Sequence, residues 1–294
     1  MKTPEEQKLK GKVAIITGSS RGMGRASALL FAEHGAKVVV NYNGNKDAAE
    51  QVVKKIKEVG SDAIAIQADI GKLEDLPRLV DGCIEKFGRL DILYHNAAVH
   101  YVCPELEDVT PEVWDLSYNC IIKGPFFLTK LAIPHLKKAG NACIIFTTTS
   151  SSHTAAPVDP QYMTAKAAVD QLVRVLAGWL APDIRVNCVV PGFVMTDMFR
   201  HHPPQVWDVL ASMVPMQRMV DPQDIANAAL FLASQDSSML TAVSLPVDGG
   251  RSGAVPRSAV LPLVQQMKPG MATYDKASYG EKRVKTMDVG LSRR

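Results

Sequence analysis

Several features that would assign a sequence to a common class are missing from this one. The five cysteines form no Cys-x-x-Cys pair and have no histidine at zinc-ligand spacing, so neither a zinc module nor a thiol-redox motif is expected. No stretch approaches the roughly 18 apolar residues that a membrane span needs, and residues 1–10 are polar. We therefore expect a cytoplasmic protein whose thiols are reduced and mostly buried.

A strong charge of one sign is also missing from most of the chain. The formal net charge is +3 over 294 residues, but residues 251–294 hold nine Lys or Arg against three Asp or Glu. By difference, residues 1–250 carry about −3, which argues against a nucleic-acid-binding body. We predict a single domain over residues 1–250. Residues 251–294 form a basic C-terminal extension, which is either disordered or an arm that docks on a neighbouring subunit.

Short apolar runs alternate with amphipathic segments along the chain. This alternation predicts an α/β fold, a doubly wound, Rossmann-like parallel sheet of seven strands with helices on both faces. The predicted strands are residues 12–17, 37–40, 63–67, 91–94, 142–148, 184–190 and 244–247. The predicted helices are residues 25–34, 47–59, 73–87, 111–138, 161–180 and 222–233. Ligands of such folds bind beyond the carboxyl ends of the strands.

The first predicted strand runs into a glycine-rich turn, residues 17–24, which opens a helix. Such a turn presents backbone N–H groups and a helix N-terminus to a pyrophosphate, and its glycines permit close approach. The glycine spacing is a weak signal alone, but its place between a strand and a helix predicts a dinucleotide site. The expected contacts of this region are Ile16, Gly18, Ser20, Arg21, Gly22, Met23 and Gly24.

Charge at the end of the second predicted strand indicates which dinucleotide binds. NAD enzymes usually place a carboxylate there, which would repel a 2′-phosphate. Here the strand ends in Asn41, Tyr42 and Asn43, with no acid before Asp47. Arg21 can supply a cation, although it could also be a solvated surface residue. We predict NADP(H), with Arg21 and Asn41 near the phosphate.

Tyr162 and Lys166 lie four residues apart in a predicted helix. At that spacing the two side chains share a helix face, so the ammonium favours the ionised phenol. A phenol has an ordinary pKa of about 10, and lowering that pKa improves it as a general acid or base at neutral pH. Such pairs also occur on ordinary amphipathic helices, so the prediction depends on the other motifs.

Together, these motifs resemble the short-chain dehydrogenase/reductase family over residues 10–250. The matching segments are residues 17–24, 68–70, 96–97, 162–166, 191–196 and 224–250. The resemblance implies that Tyr162 exchanges a proton with the substrate while Lys166 lowers its pKa and binds the ribose. It also implies cofactor contacts from Asp69, Ile70, Asn96, Val194, Thr196 and, where relatives often carry an arginine, Lys130. The residues around Arg21 and Asn41 are similar to those of fungal polyhydroxynaphthalene and versicolorin reductases.

Four positions depart from the family pattern. The family serine that binds the carbonyl lies about 13 residues before the tyrosine, and either Thr149 or Ser150 can fill that role. The family asparagine position holds Ile121. Asn119 lies two residues upstream, roughly 200° around a helix, and points the same way only if the helix bulges. The proton relay through Lys166 is therefore in doubt, and His95 and Ala98 also differ from the family pattern.

The loop after the sixth strand indicates the substrate. By resemblance, residues 193–220 form a mobile lid, and its aromatic and methionine side chains suit a bulky apolar ligand, although they could equally pack the lid onto the body. His100, Tyr101, His153 and Asp159 could also border the pocket. His201 and His202 lack further ligands at useful spacing, so no metal site is predicted.

The sequence thus predicts an NADPH-dependent carbonyl reductase of a bulky, aromatic or polycyclic intermediate of secondary metabolism. By analogy we expect a homodimer or homotetramer, acting on a small-molecule carbonyl substrate without nucleic-acid or membrane partners. Two alternatives stay open. One is an enzyme of this fold with altered chemistry, such as iminium reduction or cyclisation. The other is a non-catalytic NADP-sensing protein, although such a protein would be expected to lose Tyr162 and Lys166.

Overall fold

Seven parallel strands form one sheet in the computed structural model, in the order β3-β2-β1-β4-β5-β6-β7. This confirms the predicted doubly wound fold. The strands are β1 Val13–Ile16, β2 Lys37–Tyr42, β3 Ala63–Gln67, β4 Ile92–His95, β5 Ala142–Thr147, β6 Ile184–Pro191 and β7 Ser244–Val247. The helices described are α1 Gly22–Glu33, α2 Lys46–Glu58, α3 Leu76–Phe87, α4 Pro111–Tyr118, α5 Gly124–Ala139, α6 Ser150–Thr154, α7 Pro160–Leu180, α8 Pro204–Ser212 and α9 Pro222–Ala233.

The structure describes residues 7–154, 159–196, 203–256 and 258–259. Met1–Pro256 form one compact unit. Arg257–Arg294 form a second unit, and all but two residues of the predicted extension beyond Pro256 lie outside the described part. Within the described ranges, no helix has the length and apolarity needed to cross a bilayer.

Side chains of the strands alternate between two hydrophobic cores, one on each face of the sheet. Ala14 and Ile16 of β1 face the core covered by α1, α2 and α9, whereas Val13 and Ile15 face the core covered by α3, α5 and α7. Because both faces are buried, β1 reads as a continuous apolar run, as expected for a central parallel strand.

The strand order reverses between β1 and β4, which both pair with their neighbours in parallel. Loops leaving two such strands diverge and open a crevice beyond their carboxyl ends. The glycine-rich turn after β1 and Asn96 after β4 lie at this crevice. The fold therefore places the glycine-rich turn and Asn96 at its topological switch point.

The helix predicted over residues 111–138 is interrupted. A π-helical turn, Asn119–Lys123, separates α4 from α5. At its end, a Cβ built on Gly124 would lie 1.8 Å from the carbonyl oxygen of Ile70, so only glycine allows this contact. The widened turn lets the helix approach the loop after β3, and π-turns of this kind frequently occur at functional sites. The two short helices α6 and α8 were also not predicted.

Candidate active site

The glycine-rich turn is held closely against the loop that follows β4. Gly18 and Gly22 have positive φ angles of 63° and 55°. A Cβ built on Gly24 would lie 2.5 Å from the carbonyl oxygen of Gly18 and 2.6 Å from Nδ2 of Asn96. Side chains at these positions would push the turn apart, so glycine is needed for both backbone conformation and packing.

The N-terminus of α1 has no side-chain cap. Arg21 occupies the N-cap position in an extended conformation, and the first turn contains no acidic residue. By contrast, Asn45 caps α2 and Asp221 caps α9. The unbonded N–H groups of α1 together with the helix dipole suit a phosphate. Ser20, Gly22 and Met23 are half-buried around this end, while Ile16 is buried in β1.

Asn41 has a role that the sequence did not show. Its Oδ1 accepts a hydrogen bond from the backbone N–H of Gly18 at 2.9 Å, and its Nδ2 donates to the carbonyl of Ala68 at 3.0 Å. The side chain is buried and bridges the turn to the loop after β3. This contradicts the expectation that its amide is available to a 2′-phosphate. Arg21 and Asn43 are the exposed polar side chains of that predicted set.

Asn96 offers a hydrogen-bond acceptor to a ligand. Its Nδ2 donates to the carbonyls of Thr17 and Gly18 at 3.0 and 3.2 Å. Its Oδ1 is buried and has no partner within the described residues. A buried polar atom without a partner is costly, so a ligand hydroxyl that donates to Oδ1 would be stabilised. This fits the predicted contact with a ribose.

The remaining cofactor candidates divide into those at the crevice and one away from it. Asp69 is half-buried and its Oδ1 accepts from the N–H of Gly71 at 2.9 Å, with Ile70 beside it. The Thr196 methyl lies 3.5 Å from where a Cβ of Gly22 would stand, so the loop after β6, which includes the buried Val194, reaches the glycine-rich turn. Lys130 does not join this group.

Lys130 is exposed on α5, where it borders a shallow surface groove with Leu73 and Leu76. It stands roughly 9 Å along the helix from Gly124, the residue that contacts Ile70. The structure therefore does not bring Lys130 to the crevice with the other candidates.

Lys166 and Tyr162 lie on adjacent turns of α7, as their spacing predicts. The Lys166 Nζ is 5.7 Å from the Tyr162 ring centroid and donates to the carbonyl of Thr147 at 2.7 Å. Burial lowers the pKa of Lys166 to about 8. Burial, and after it the charge of Asp159, raises the pKa of Tyr162 to about 12. The net pKa of the phenol is thus raised in the protein alone, because desolvation of the phenolate is the largest cause.

Two hydroxyl groups compete for the role of the family serine, and their surroundings differ. Ser150 is buried, and its Oγ accepts from the Arg251 guanidinium at 3.0 Å. Thr149 is half-buried at the end of β5, and its Oγ1 accepts from the N–H of Ser151 at 3.3 Å. The Thr149 hydroxyl proton is therefore the better placed of the two to reach a ligand.

Ile121, at the position of the family asparagine, is 3% exposed and belongs to the core beneath α5 and α7. Its neighbour Asn119 lies beside Gly71, with their β-carbon positions 3.8 Å apart. The π-turn is a helix bulge of the kind that Asn119 would need in order to point toward the family asparagine position. The side chain at that position is nevertheless the apolar Ile121. Ile121 has no amide with which to support a proton relay from this position.

The half-buried His100 and the buried Asp159 form a pair against Tyr162. The imidazole ring packs against the Tyr162 ring at a tilt of 40° with centroids 4.4 Å apart, and its Nε2 lies 2.7 Å from the Asp159 carboxylate. The other Asp159 oxygen accepts from the N–H of Cys103 at 2.7 Å. By contrast, His153 pairs with Asp170, so the structure does not join it to this group. Sequence reasoning named His100 and Asp159 only as residues bordering the pocket.

Arg251 was missed as a site residue, because it was counted with the basic extension. It lies shortly after the end of β7, and the carboxyl ends of parallel strands share one edge of the sheet, which was the available signal. Its guanidinium lies over the Phe193 ring at 4.2 Å from the centroid and reaches Ser150. The edge formed by β5, β6 and β7 therefore carries a cation.

Comparisons with known proteins show what the chain is similar to. A family model described as enoyl-(acyl carrier protein) reductase matches residues 18–252. The chain is 38% identical over 263 residues to versicolorin reductase stcU of Emericella nidulans, covering 85% of this chain and 99% of that protein. It is 35% identical over 261 residues to tetrahydroxynaphthalene reductase of Pyricularia oryzae, covering 84% and 92%.

Among solved structures, the chain is similar to one described as the promiscuous reductase LugOII, which catalyses keto-reduction at C1 during lugdunomycin biosynthesis. The TM-score is 0.78 and the identity 33%, over 83% of this chain and 99% of that one.

Proposed function

Because the chain belongs to the short-chain dehydrogenase/reductase family, we propose that it is an NADPH-dependent reductase of a carbonyl in a bulky, aromatic or polycyclic intermediate of secondary metabolism. The observation that carries this proposal is the placement of Tyr162 and Lys166 beside β5, at the same sheet edge as the uncapped α1. The relatives named above are reductases of versicolorin and tetrahydroxynaphthalene, which supports a polycyclic substrate.

The residues at the crevice fit NADP(H). The α1 N-terminus and glycine-rich turn would hold the pyrophosphate, and the exposed Arg21 the 2′-phosphate. Asn96 Oδ1 and Lys166 Nζ would hold the nicotinamide ribose, with Val194 and Thr196 near the carboxamide. When bound, this cofactor supplies a hydride to the carbonyl carbon.

Tyr162 supplies the proton that completes the reduction. Because its pKa is about 12, the phenol is protonated at neutral pH and can donate to the carbonyl oxygen. The Thr149 hydroxyl donates a hydrogen bond to the same oxygen and stabilises the negative charge that develops there. Hydride on carbon and proton on oxygen convert the ketone to an alcohol.

The lid carries apolar side chains that suit a large ligand. Val209, Met213 and Met216, on and after α8, are 60%, 48% and 67% exposed. Phe193 extends this apolar character to the loop after β6. A polycyclic substrate covering these side chains would remove apolar area from water.

We also propose that the protein is a homodimer or homotetramer. Large apolar side chains on α4, α5 and α7 are exposed, among them Trp114, Phe126, Leu131, Val175 and Trp179, the last 82% exposed. A second copy covering these helices would bury them. Light scattering after size exclusion tests this: a monomer at micromolar concentration would contradict it. The cytoplasmic location stays a prediction.

Replacing Tyr162 by Phe tests the proposed reductase. We expect Tyr162→Phe to lose turnover of 9,10-phenanthrenequinone, followed by NADPH absorbance, while calorimetry shows unchanged NADPH binding. Tyr118→Phe, on α4, is the matched control. Full activity of Tyr162→Phe would refute the assignment. Product formed without NADPH oxidation would favour the cyclisation alternative, and NADPH binding without turnover of any ketone or quinone would favour a sensor.

A further inference from the structure

Among the described residues, Arg251 is the only cationic residue outside α7 that contacts one of the candidate catalytic hydroxyl groups. Its Nη1 donates to Ser150 Oγ at 3.0 Å, and its guanidinium plane covers the Phe193 ring at 4.2 Å. These contacts join the ends of β5, β6 and β7. Arg251 is half-buried, so part of the residue remains exposed.

No carboxylate within the described residues lies at salt-bridge distance from Arg251. The nearest acidic neighbour in the chain is Asp248, whose oxygens already accept from the N–H of Gly250 and from the N–H and hydroxyl of Ser252. Burial lowers the pKa of the Arg251 guanidinium, with Asp248 acting in the opposite direction. A partly desolvated cation without a bound carboxylate is poised to gain from an anion.

The backbone fixes the position of Arg251 rather than leaving it on a mobile tail. Gly249 and Gly250 both have positive φ, and a Cβ on Gly249 would lie 2.5 Å from the Val214 side chain. The N–H of Met216 also donates to the Gly249 carbonyl at 3.2 Å. Arg251 therefore stands at the base of the lid, beside the candidate hydroxyl of Ser150.

We propose that Arg251 binds an anionic oxygen substituent of the substrate, a carboxylate or an ionised phenol or enol, beside the carbonyl that is reduced. The inference rests on the proposed reductase function and narrows its substrate class. The Phe193 ring packs on the guanidinium and holds it in place. Two N–H groups of the guanidinium can then donate to one anion. A planar, pre-oriented donor pair of this kind is the arrangement that favours carboxylate over a neutral group.

A purely structural role for Arg251 makes a different prediction. If the guanidinium only connects Ser150 to the end of β7, its loss lowers the stability of the fold and weakens the binding of all ligands equally. If the guanidinium binds an anion, its loss selectively weakens the binding of anionic ligands. Charge selectivity is therefore the readout that separates the two roles.

The test compares matched ligands that differ in charge. Isothermal titration calorimetry measures 2-naphthoate against neutral 2-naphthalenemethanol, and the enolate of 2-hydroxy-1,4-naphthoquinone against neutral 2-methyl-1,4-naphthoquinone. The full chain is titrated with and without NADP⁺. We expect at least one anion to bind about tenfold more tightly than its neutral partner, and which pair shows the preference identifies the anion.

Variants then assign the preference to this residue. We expect Arg251→Met to abolish it and Arg251→Lys to retain part of it, while Arg78→Met, an exposed arginine on α3, leaves it unchanged. Should Arg251→Met not fold, Arg251→Gln removes the charge while keeping a donor for Ser150. Equal affinity for both members of each pair in the unmodified protein, or a preference that survives Arg251→Met or Arg251→Gln, would overturn the proposal.

Binding does not require turnover, so the two proposals fail separately. A protein that binds anions through Arg251 but oxidises no NADPH keeps this inference and loses the reductase. A protein that reduces quinones without any charge preference does the reverse.

Discussion

The Lys166 ammonium lies 5.7 Å from the centroid of the Tyr162 ring, on the next turn of α7, and burial reverses the order in which the two groups titrate. The pKa of Lys166 falls to about 8, whereas that of Tyr162 rises to about 12. As the pH rises from neutral, Lys166 therefore loses its proton first. Between these values both groups are uncharged, which removes the cation that would stabilise a developing phenolate.

We expect reduction to slow as the pH rises through about 8, where the Lys166 ammonium is lost. This loss is not unfolding. A lysine whose pKa is lowered in the folded state destabilises the fold while protonated, so its contribution to stability improves between about 8 and 10.5. Initial rates and thermal melting across this range should move in opposite directions.

Lys166→Arg provides the check, because a guanidinium keeps its charge over this range. If the variant retains measurable activity, its rate should no longer fall near pH 8. Lys138→Arg, exposed on α5, should leave the profile unchanged. A fall near pH 8 that persists in Lys166→Arg would assign it to another group.

The proposed selection of the phosphorylated dinucleotide by Arg21 can be tested directly. Arg21→Met should weaken NADPH binding by about 10- to 100-fold, because a charge-assisted contact is lost, and should leave NADH binding nearly unchanged. Arg25→Met, an exposed arginine on the same helix, is the matched control. Fluorescence titration with both cofactors measures the ratio, and equal losses for NADPH and NADH would contradict the assignment.

Separate replacement of Thr149 and Ser150 decides which hydroxyl polarises the carbonyl. Thr149→Val should lower kcat by about 100-fold, in line with loss of one donor to a developing oxyanion. Thr149→Ser should restore most of it. Ser150→Ala should cost less than about tenfold, because that hydroxyl accepts from Arg251 and is buried. The reverse ranking in steady-state kinetics would move the role to Ser150.

The sequence predicts the sheet well because each strand is an apolar run set by local composition. Strands β3 and β7 have the predicted limits, Ala63–Gln67 and Ser244–Val247. Helix periodicity likewise locates α2, α7 and α9 to within a residue or two. These elements depend on burial on both faces of one sheet. Their burial therefore appears in the sequence as a regular spacing of apolar residues.

The site was only partly predictable, because several of its contacts join distant parts of the chain. From the sequence, Asn41 is predicted to bind the cofactor, but in the structure its amide bridges Gly18 and Ala68. Ser150 and Arg251 are separated by 101 residues, and His100 and Asp159 by 59. Spacing along the chain cannot report such pairs. Motifs confined to one turn or one helix, such as Tyr162 with Lys166, are the ones that spacing finds.

The π-turn before α5 leads to a prediction at Ile121. Its side chain is 3% exposed in the apolar core, so Ile121→Asn buries an amide there and removes apolar contacts. We expect a loss of about 3 kcal/mol in the free energy of unfolding, against about 1 kcal/mol for the control Ile121→Val. Urea titration measures both. If Ile121→Asn instead keeps its stability and turns over faster, the side chain faces the proton relay, and the family asparagine role can be restored at this position.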